Sequence, residues 1–203
     1  MKKTLPLAML ITGIASFSAQ AESYLGASLG QSSIKSVEIQ GRAFGMSGSQ
    51  SYDASESMLS GSLFAGYNFN PYLGVEFTVG GMDAIDDAYL SVGDMMYFAL
   101  QPKLSLPLTD AFSVYAKAGI ARFSAEFIAN NGAYGYSGYT TVSTSDTTLM
   151  AGLGAEYALT EHLRIRASWD YMKPELELIH VADASLSVEP EFQQFSVGLS
   201  YHF

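Results

Sequence analysis

The chain has 203 residues, with 10 Lys and Arg against 20 Asp and Glu, and no cysteine. A formal charge of -10 excludes the clustered cations that a nucleic-acid partner needs, and the lack of cysteine excludes a disulfide framework and a lipid-anchored cysteine. Only 15% of residues are charged, against about 25% in soluble domains, while 13% are aromatic and 19 are glycine.

Residues 1–21, MKKTLPLAMLITGIASFSAQA, carry two lysines, an apolar run and Ala19-Gln20-Ala21. This is the plan of a secretory signal, with cleavage expected near Ala21 and a mature domain over 22–203. Losing Lys2 and Lys3 moves the formal charge from -10 to -12. After the signal no apolar stretch approaches the ~20 residues of a spanning helix, so a helical membrane protein is excluded.

Alternation of apolar and polar residues, the mark of a strand, then recurs in eight segments. They lie near 23–32, 58–69, 72–82, 94–106, 112–126, 147–159, 163–172 and 192–203. The second and third join across NFNPYL, the fourth and fifth across LPLTDAF, and the sixth and seventh across LTEHL. These short links carry the Asn, Pro, Thr and Asp of turns. The other connections, roughly 33–57, 83–93, 127–146 and 173–191, read as long loops. Short and long links alternate, as in an all-β, eight-stranded antiparallel up-and-down transmembrane barrel.

The faces decide between that barrel and a soluble one. Leu73, Val75, Phe77 and Val79 oppose Gly74, Glu76, Thr78 and Gly80, while Phe98, Leu100 and Leu104 oppose Ala99, Gln101 and Lys103. Leu149, Leu153 and Tyr157 oppose Thr148, Gly152 and Glu156, and Leu163, Ile165 and Trp169 oppose Arg164, Arg166, Ser168 and Asp170. The last segment sets Phe195, Val197, Leu199, Tyr201 and Phe203 against Ser196, Gly198, Ser200 and His202. A soluble barrel needs its apolar face inside, whereas lipid requires that face outside. Bilayer is therefore expected to cover even Phe203. The fifth segment leaves two options: its alternation sends Lys117 inward, then Arg122 outward with Phe123 and Phe127 turning in. Either a bulge near the rim restores the pattern, or Arg122 sits at the lipid headgroups.

The stretches YLGASLGQS, FAGYNFNPYLGVEF, QPKLSLPLTDAFSVYAKAG, GLGAEYALTEHLRIRASW and SVGLSYHF together resemble the transmembrane domain of the outer-membrane protein A family. The resemblance implies a Gram-negative outer-membrane address. It also implies contact with outer-membrane lipids and lipopolysaccharide, and delivery by periplasmic chaperones to the outer-membrane assembly machinery. Gly198, Tyr201 and Phe203 match that machinery's terminal recognition signal. The peptidoglycan-binding domain of larger members has no counterpart here, so the layout resembles the small stand-alone barrels and cell-wall anchoring is not carried over.

Four inward charges, Glu76, Lys103, Glu156 and Arg166, each lie four or five residues from a short turn. At ~3.3 Å per strand residue they share a level near mid-barrel, with Lys117 able to join them. The same positions match a salt-bridge gate with alternative pairings in the resembled family; a static polar plug is the competing reading. Gly26-Ala27-Ser28-Leu29-Gly30 spells G-x-S-x-G, but that motif needs a strand-to-helix corner and Ser28 falls mid-strand. An acyl-transferring or acyl-hydrolysing enzyme acting on lipid A needs a rim histidine, and only His180, near Asp183 and Ser185, reaches the rim; His162 and His202 do not. Asp83, Asp86, Asp87 and Asp94 lack the spacing of a calcium loop. NNGAYGYSGYTT suits either an adaptable binding surface or a mobile loop. The leading expectation is a non-enzymatic barrel, without cofactor, serving envelope integrity. Its surface loops would meet a host, a phage or neighbouring cells, with a small gated pore through the lumen. The lipid-modifying enzyme is the alternative.

Overall fold

The computed structural model describes residues 21–203 except 44–45, 84, 87–89, 131–138 and 182–183. The expected signal sequence lies outside the described residues. Ten strands form one sheet: β1 (Glu22–Ala43), β2 (Met46–Asn68), β3 (Leu73–Met82), β4 (Ile85–Asp86), β5 (Leu90–Pro107), β6 (Phe112–Asn130), β7 (Tyr139–Ala158), β8 (Leu163–Met172), β9 (Leu176–Val181) and β10 (Ala184–His202). Eight of them close an antiparallel barrel in the order β1-β2-β3-β5-β6-β7-β8-β10, with β10 back on β1. The two short strands hang on the hairpin end, β4 on β5 and β9 on β10.

Closure fixes the stagger. Register partners run from Glu22 through Asn68, Gly74, Lys103, Lys117, Gly152, Asp170 and Gln194, and return to β1 at Ser32, ten residues up the strand (22 to 32). Eight tilted strands so staggered enclose a space that side chains alone can fill.

The three short turns share one device. Asn70 Oδ1 accepts from the backbone N–H of Tyr72 and Leu73, at 2.8 and 2.9 Å. Thr109 Oγ1 accepts from Phe112 N at 2.9 Å, and Thr160 Oγ1 from Leu163 N at 3.0 Å. A short polar side chain thus satisfies backbone donors that the hairpin ladder leaves over.

At the opposite end the structure corrects the expected boundaries. Residues in 33–57, 127–146 and 173–191 are largely strand rather than loop: β1 and β2 pair as far as Ala43 and Met46, and β6 and β7 as far as Asn130 and Tyr139. These extensions stand beyond the apolar belt, where the outward face no longer needs large apolar groups, so the apolar–polar alternation fades from the sequence. Of the two options for the fifth segment, the structure takes the one without a bulge in it, because β6 and β7 stay in register through Arg122. Arg122 therefore points outward, where its Nη2 donates to Ser145 Oγ at 2.7 Å, while Phe123 is buried in the lumen. The bulge lies instead in β5, between Gly93 and Met96. Others shift the ladders of β1 just above Ile34.

The faces separate as lipid demands. Outward side chains such as Leu29, Leu63, Leu104, Leu149 (76% exposed) and Val197 are uncovered, whereas Glu76, Gln101, Lys103 and Ser200 are buried inside. Because the ladder is closed, SDS should leave it intact until heated. The unheated protein is expected to migrate faster on gels and to stay in membranes through urea or carbonate washing; recovery as a soluble protein would mean the faces are inverted.

Candidate functional site

The six charged side chains of the lumen's middle come from inward positions of five strands, and Tyr24 adds a sixth. Glu76 on β3 is the hub. Arg166 on β8 reaches it as a fork, with Nη1 2.8 Å from Oε2 and Nη2 3.3 Å from Oε1. Lys117 on β6 donates to Glu76 Oε1 at 3.0 Å, and Tyr24 on β1 donates its hydroxyl to Oε2 at 2.9 Å. Lys103 on β5 and Glu156 on β7 pair separately at 2.6 Å. Lys117 also lies 3.2 Å from Asp170 Oδ1, close enough for charge pairing though not aligned as a hydrogen bond. All six charged side chains are buried, and three carboxylates balance three cations.

Aromatic side chains complete the layer. Arg166 donates to the Tyr115 hydroxyl through Nε at 3.1 Å and Nη2 at 2.7 Å, and its guanidinium lies 4.1 Å from the Phe64 ring centroid. Lys103 Nζ sits 4.8 Å from the Tyr24 ring and 4.5 Å from the Tyr115 ring. Both tyrosines fit because facing strands carry no side chain: a Cβ at Gly66 would overlap Tyr24, and one at Gly154 would overlap Tyr115.

The four charges expected at one level are thus in contact as two subclusters, and Lys117 joins them. Asp170, Tyr24 and Tyr115 were not singled out in the sequence. Asp170 falls on the same inner face as Arg166, and Tyr24 is register partner to Gly66, so facing aromatic–glycine pairs are the available signal.

Other candidates disperse. Ser28 lies mid-strand and shares a hydrogen bond with Ser62 Oγ at 2.7 Å. His162 is exposed in a short turn. His202 is buried at the short-turn mouth, stacked 4.9 Å from Tyr24, with Nε2 3.1 Å from Ser200 Oγ and Nδ1 3.0 Å from Glu22. That mouth opens on a polar hollow of about 620 Å³ lined by Glu22, Asn68, Asp110 and Arg164. Asp83 is exposed; the side chains of Asp86, Asp94, His180 and Ser185, with Asp87, Asp183 and most of NNGAYGYSGYTT, lie outside the described residues. Among the described residues no grouping of three His, Cys, Asp or Glu is placed to hold a metal ion. Gly198 faces the lumen, while Tyr201 and Phe203 face outward with rings 5.1 Å apart.

At the hairpin rim, Lys173 bridges Glu189 at 2.9 Å and Glu38 at 3.1 Å. Hydrogen bonds to Glu189, then to Glu38, push the Lys173 ammonium's pKa above its ordinary value. Thr148 Oγ1 donates to Lys173 O at 2.7 Å and Glu175 N donates to Asp146 at 2.9 Å, tying β7 to the segment after β8.

Residues 5–203 match the family described as the outer membrane protein beta-barrel domain. The chain is 28% identical to outer membrane protein A of Serratia marcescens over 214 residues, covering all of this chain and 56% of that protein. It is 30% identical to outer membrane protein A of Shigella flexneri over 156 residues, 73% of this chain and 41% of the relative. The chain therefore spans about half the length of these relatives, or less. Among solved structures, the fold is shared with OprG from Pseudomonas aeruginosa, at a TM-score of 0.63 and 15% identity, covering 91% of this chain and 97% of that one. It is shared too with Ail, the attachment invasion locus protein of Yersinia pestis, solved with the heparin analogue sucrose octasulfate. The TM-score there is 0.51 at 17% identity, with 89% and 99% coverage. A closed barrel with an apolar belt, a charge-balanced lumen and relatives named for the bacterial outer membrane lead to one assignment. The chain belongs to the outer membrane protein beta-barrel domain family.

Proposed function

We propose that the protein is a non-enzymatic outer-membrane barrel that supports envelope integrity and presents its hairpins for surface contact, with the lumen held shut at rest by the ion-pair layer. The observation that carries this reading is the division of the molecule. A lipid-matched belt and a self-neutralising interior need no ligand, while β1, β2, β6, β7 and β10 continue well beyond the belt. The solved structure of Ail with a heparin analogue supports surface contact as a role for such hairpins, to a host, a phage or a neighbouring cell. Export with cleavage near Ala21, passage through periplasmic chaperones to the assembly machinery by way of Gly198, Tyr201 and Phe203, and packing against lipopolysaccharide complete the proposal.

The ion pairs also support a gate. Glu76 is shared between Arg166 and Lys117, so Arg166 can leave for Glu156 while Lys117 keeps Glu76 neutral. A static plug would instead keep these pairings fixed.

Removing one partner of a buried pair typically costs ~3–5 kcal/mol, because the survivor stays dry and unpaired. Glu76→Ala strands Arg166 and is expected to cost the most in urea unfolding from lipid vesicles. Arg166→Ala should cost less, since Lys117 still serves Glu76. The double variant leaves Lys103–Glu156 and Lys117–Asp170 and should recover part of the Glu76→Ala loss; a strictly additive double variant would mean the groups do not interact.

In cells lacking the protein, the full chain and a form with its outer hairpins cut back should both restore detergent resistance, and only the full chain should restore surface attachment. Lipid A acylation should be the same with and without the protein. A change in acylation would overturn the non-enzymatic reading and favour the rim enzyme.

A further inference from the structure

Beyond the ion-pair layer, towards the hairpins, the lumen changes character. Met58, Met82, Met95, Met150 and Met172, from five different strands, all point inward and are buried. The register brings them to one level: Met82 pairs with Met95, Met150 with Met172, and Met58 sits two residues above Ser60, the partner of Met82. Phe192, register partner of Met172, packs against Phe123 across the lumen with ring centroids 5.2 Å apart. All belong to one buried apolar cluster, which Tyr97 also joins. An ion leaving the ion-pair layer towards the outside must cross it, and such an apolar constriction closes a pore by excluding water.

Leucine would fill this space with better-defined rotamers, and the chain uses leucine freely elsewhere. Among the described residues, twelve leucines but only one methionine, Met96, are exposed among the large apolar groups, whereas five methionines and one leucine, Leu176, are buried. The thioethers are concentrated on the buried, inward face of the barrel. What distinguishes them from leucine is flexibility and an oxidisable sulfur.

We propose that this methionine layer is a modification site: a second closure in series with the ion-pair layer, opened by peroxide-class oxidants through sulfoxidation. The inference rests on the reading of the lumen as a closed path. The thioether lone pair attacks one peroxide oxygen and the O–O bond breaks. That oxygen stays on sulfur as the sulfoxide and the other leaves as water; sulfur loses two electrons and the peroxide gains them. Each sulfoxide turns a weakly polar thioether into a strong acceptor beside the few hydroxyls of the layer, Ser60 and Tyr97, so water can enter it.

The test uses the purified full chain in planar bilayers, before and after hydrogen peroxide, with peptide mass spectrometry locating each added oxygen. Four proteins are compared: wild type, Glu76→Ala/Arg166→Ala, the same pair with all five layer methionines changed to Leu, and the same pair with Met82→Gln and Met150→Gln as polar mimics. Heat-shifted gel migration checks that each has folded. The Glu76→Ala/Arg166→Ala protein should stay near baseline until oxidised and then conduct at least tenfold more. The leucine form should ignore peroxide, and the glutamine form should conduct without it. Sulfoxides found in the layer with unchanged conductance would overturn the proposal. So would layer thioethers left intact by peroxide that oxidises Met96, or a leucine form that responds equally. If the unoxidised Glu76→Ala/Arg166→Ala protein already conducts, the methionine layer is no closure, although the ion-pair gate stands. If oxidised wild type conducts as freely as the oxidised pair variant, the ion-pair reading falls and the methionine gate stands.

Discussion

In hydrocarbon an unpaired backbone N–H or C=O costs several kcal/mol, so a sheet crosses a bilayer only when its first strand meets its last. Here β1 and β10 pair continuously from Tyr24–His202 to Ile34–Phe192. That ladder sets the stagger of ten residues between Glu22 and Ser32, and with eight strands the stagger sets the width of the lumen. Everything inside follows from the narrowness. There is room for side chains and little else, so each inward residue touches others from across the barrel rather than bulk water.

Such an interior can hold charges only in balanced sets. Glu76, Glu156 and Asp170 meet Lys103, Lys117 and Arg166 within one layer, and Tyr24 and Tyr115 take up hydrogen bonds the ions leave over. The tyrosines in turn require Gly66 and Gly154 opposite them. Higher in the lumen the stagger collects methionines and phenylalanines instead. In the proposed closed path the two layers act by different physics: one by mutual neutralisation of charge, the other by exclusion of water.

Much of this was legible in the sequence wherever the environment is uniform. In LRIRASWDYM one face meets lipid throughout, so Leu163, Ile165 and Trp169 alternate with Arg164, Arg166 and Asp170, and the strand can be read to the residue. Further up β2, residues 48–51 are exposed on both faces, and the stretch SGSQS carries no period; the backbone ladder that orders it leaves no trace in side-chain pattern. The same limit applies inside. Distance from the short turns brings Glu76, Lys103, Glu156 and Arg166 to one level, but Asp170 sits four residues above Arg166 and meets Lys117 only because the stagger raises neighbouring strands. Met150 breaks the polar face of β7, and its meaning emerges only when the register gathers Met82, Met95 and Met172 beside it.

The central claim is that apolar faces meet lipid and polar faces meet a closed lumen. The chain has no cysteine, so single cysteines carrying a nitroxide can be placed along β7 from 149 to 157 in lipid vesicles. Relaxation by oxygen, which concentrates in hydrocarbon, is then compared with relaxation by a water-soluble nickel chelate. Labels at 149, 151, 153, 155 and 157 should respond strongly to oxygen and weakly to nickel, and labels at 150 and 156, where the lumen already holds a side chain, weakly to both. Inverted alternation, or nickel access at the even positions, would contradict the account.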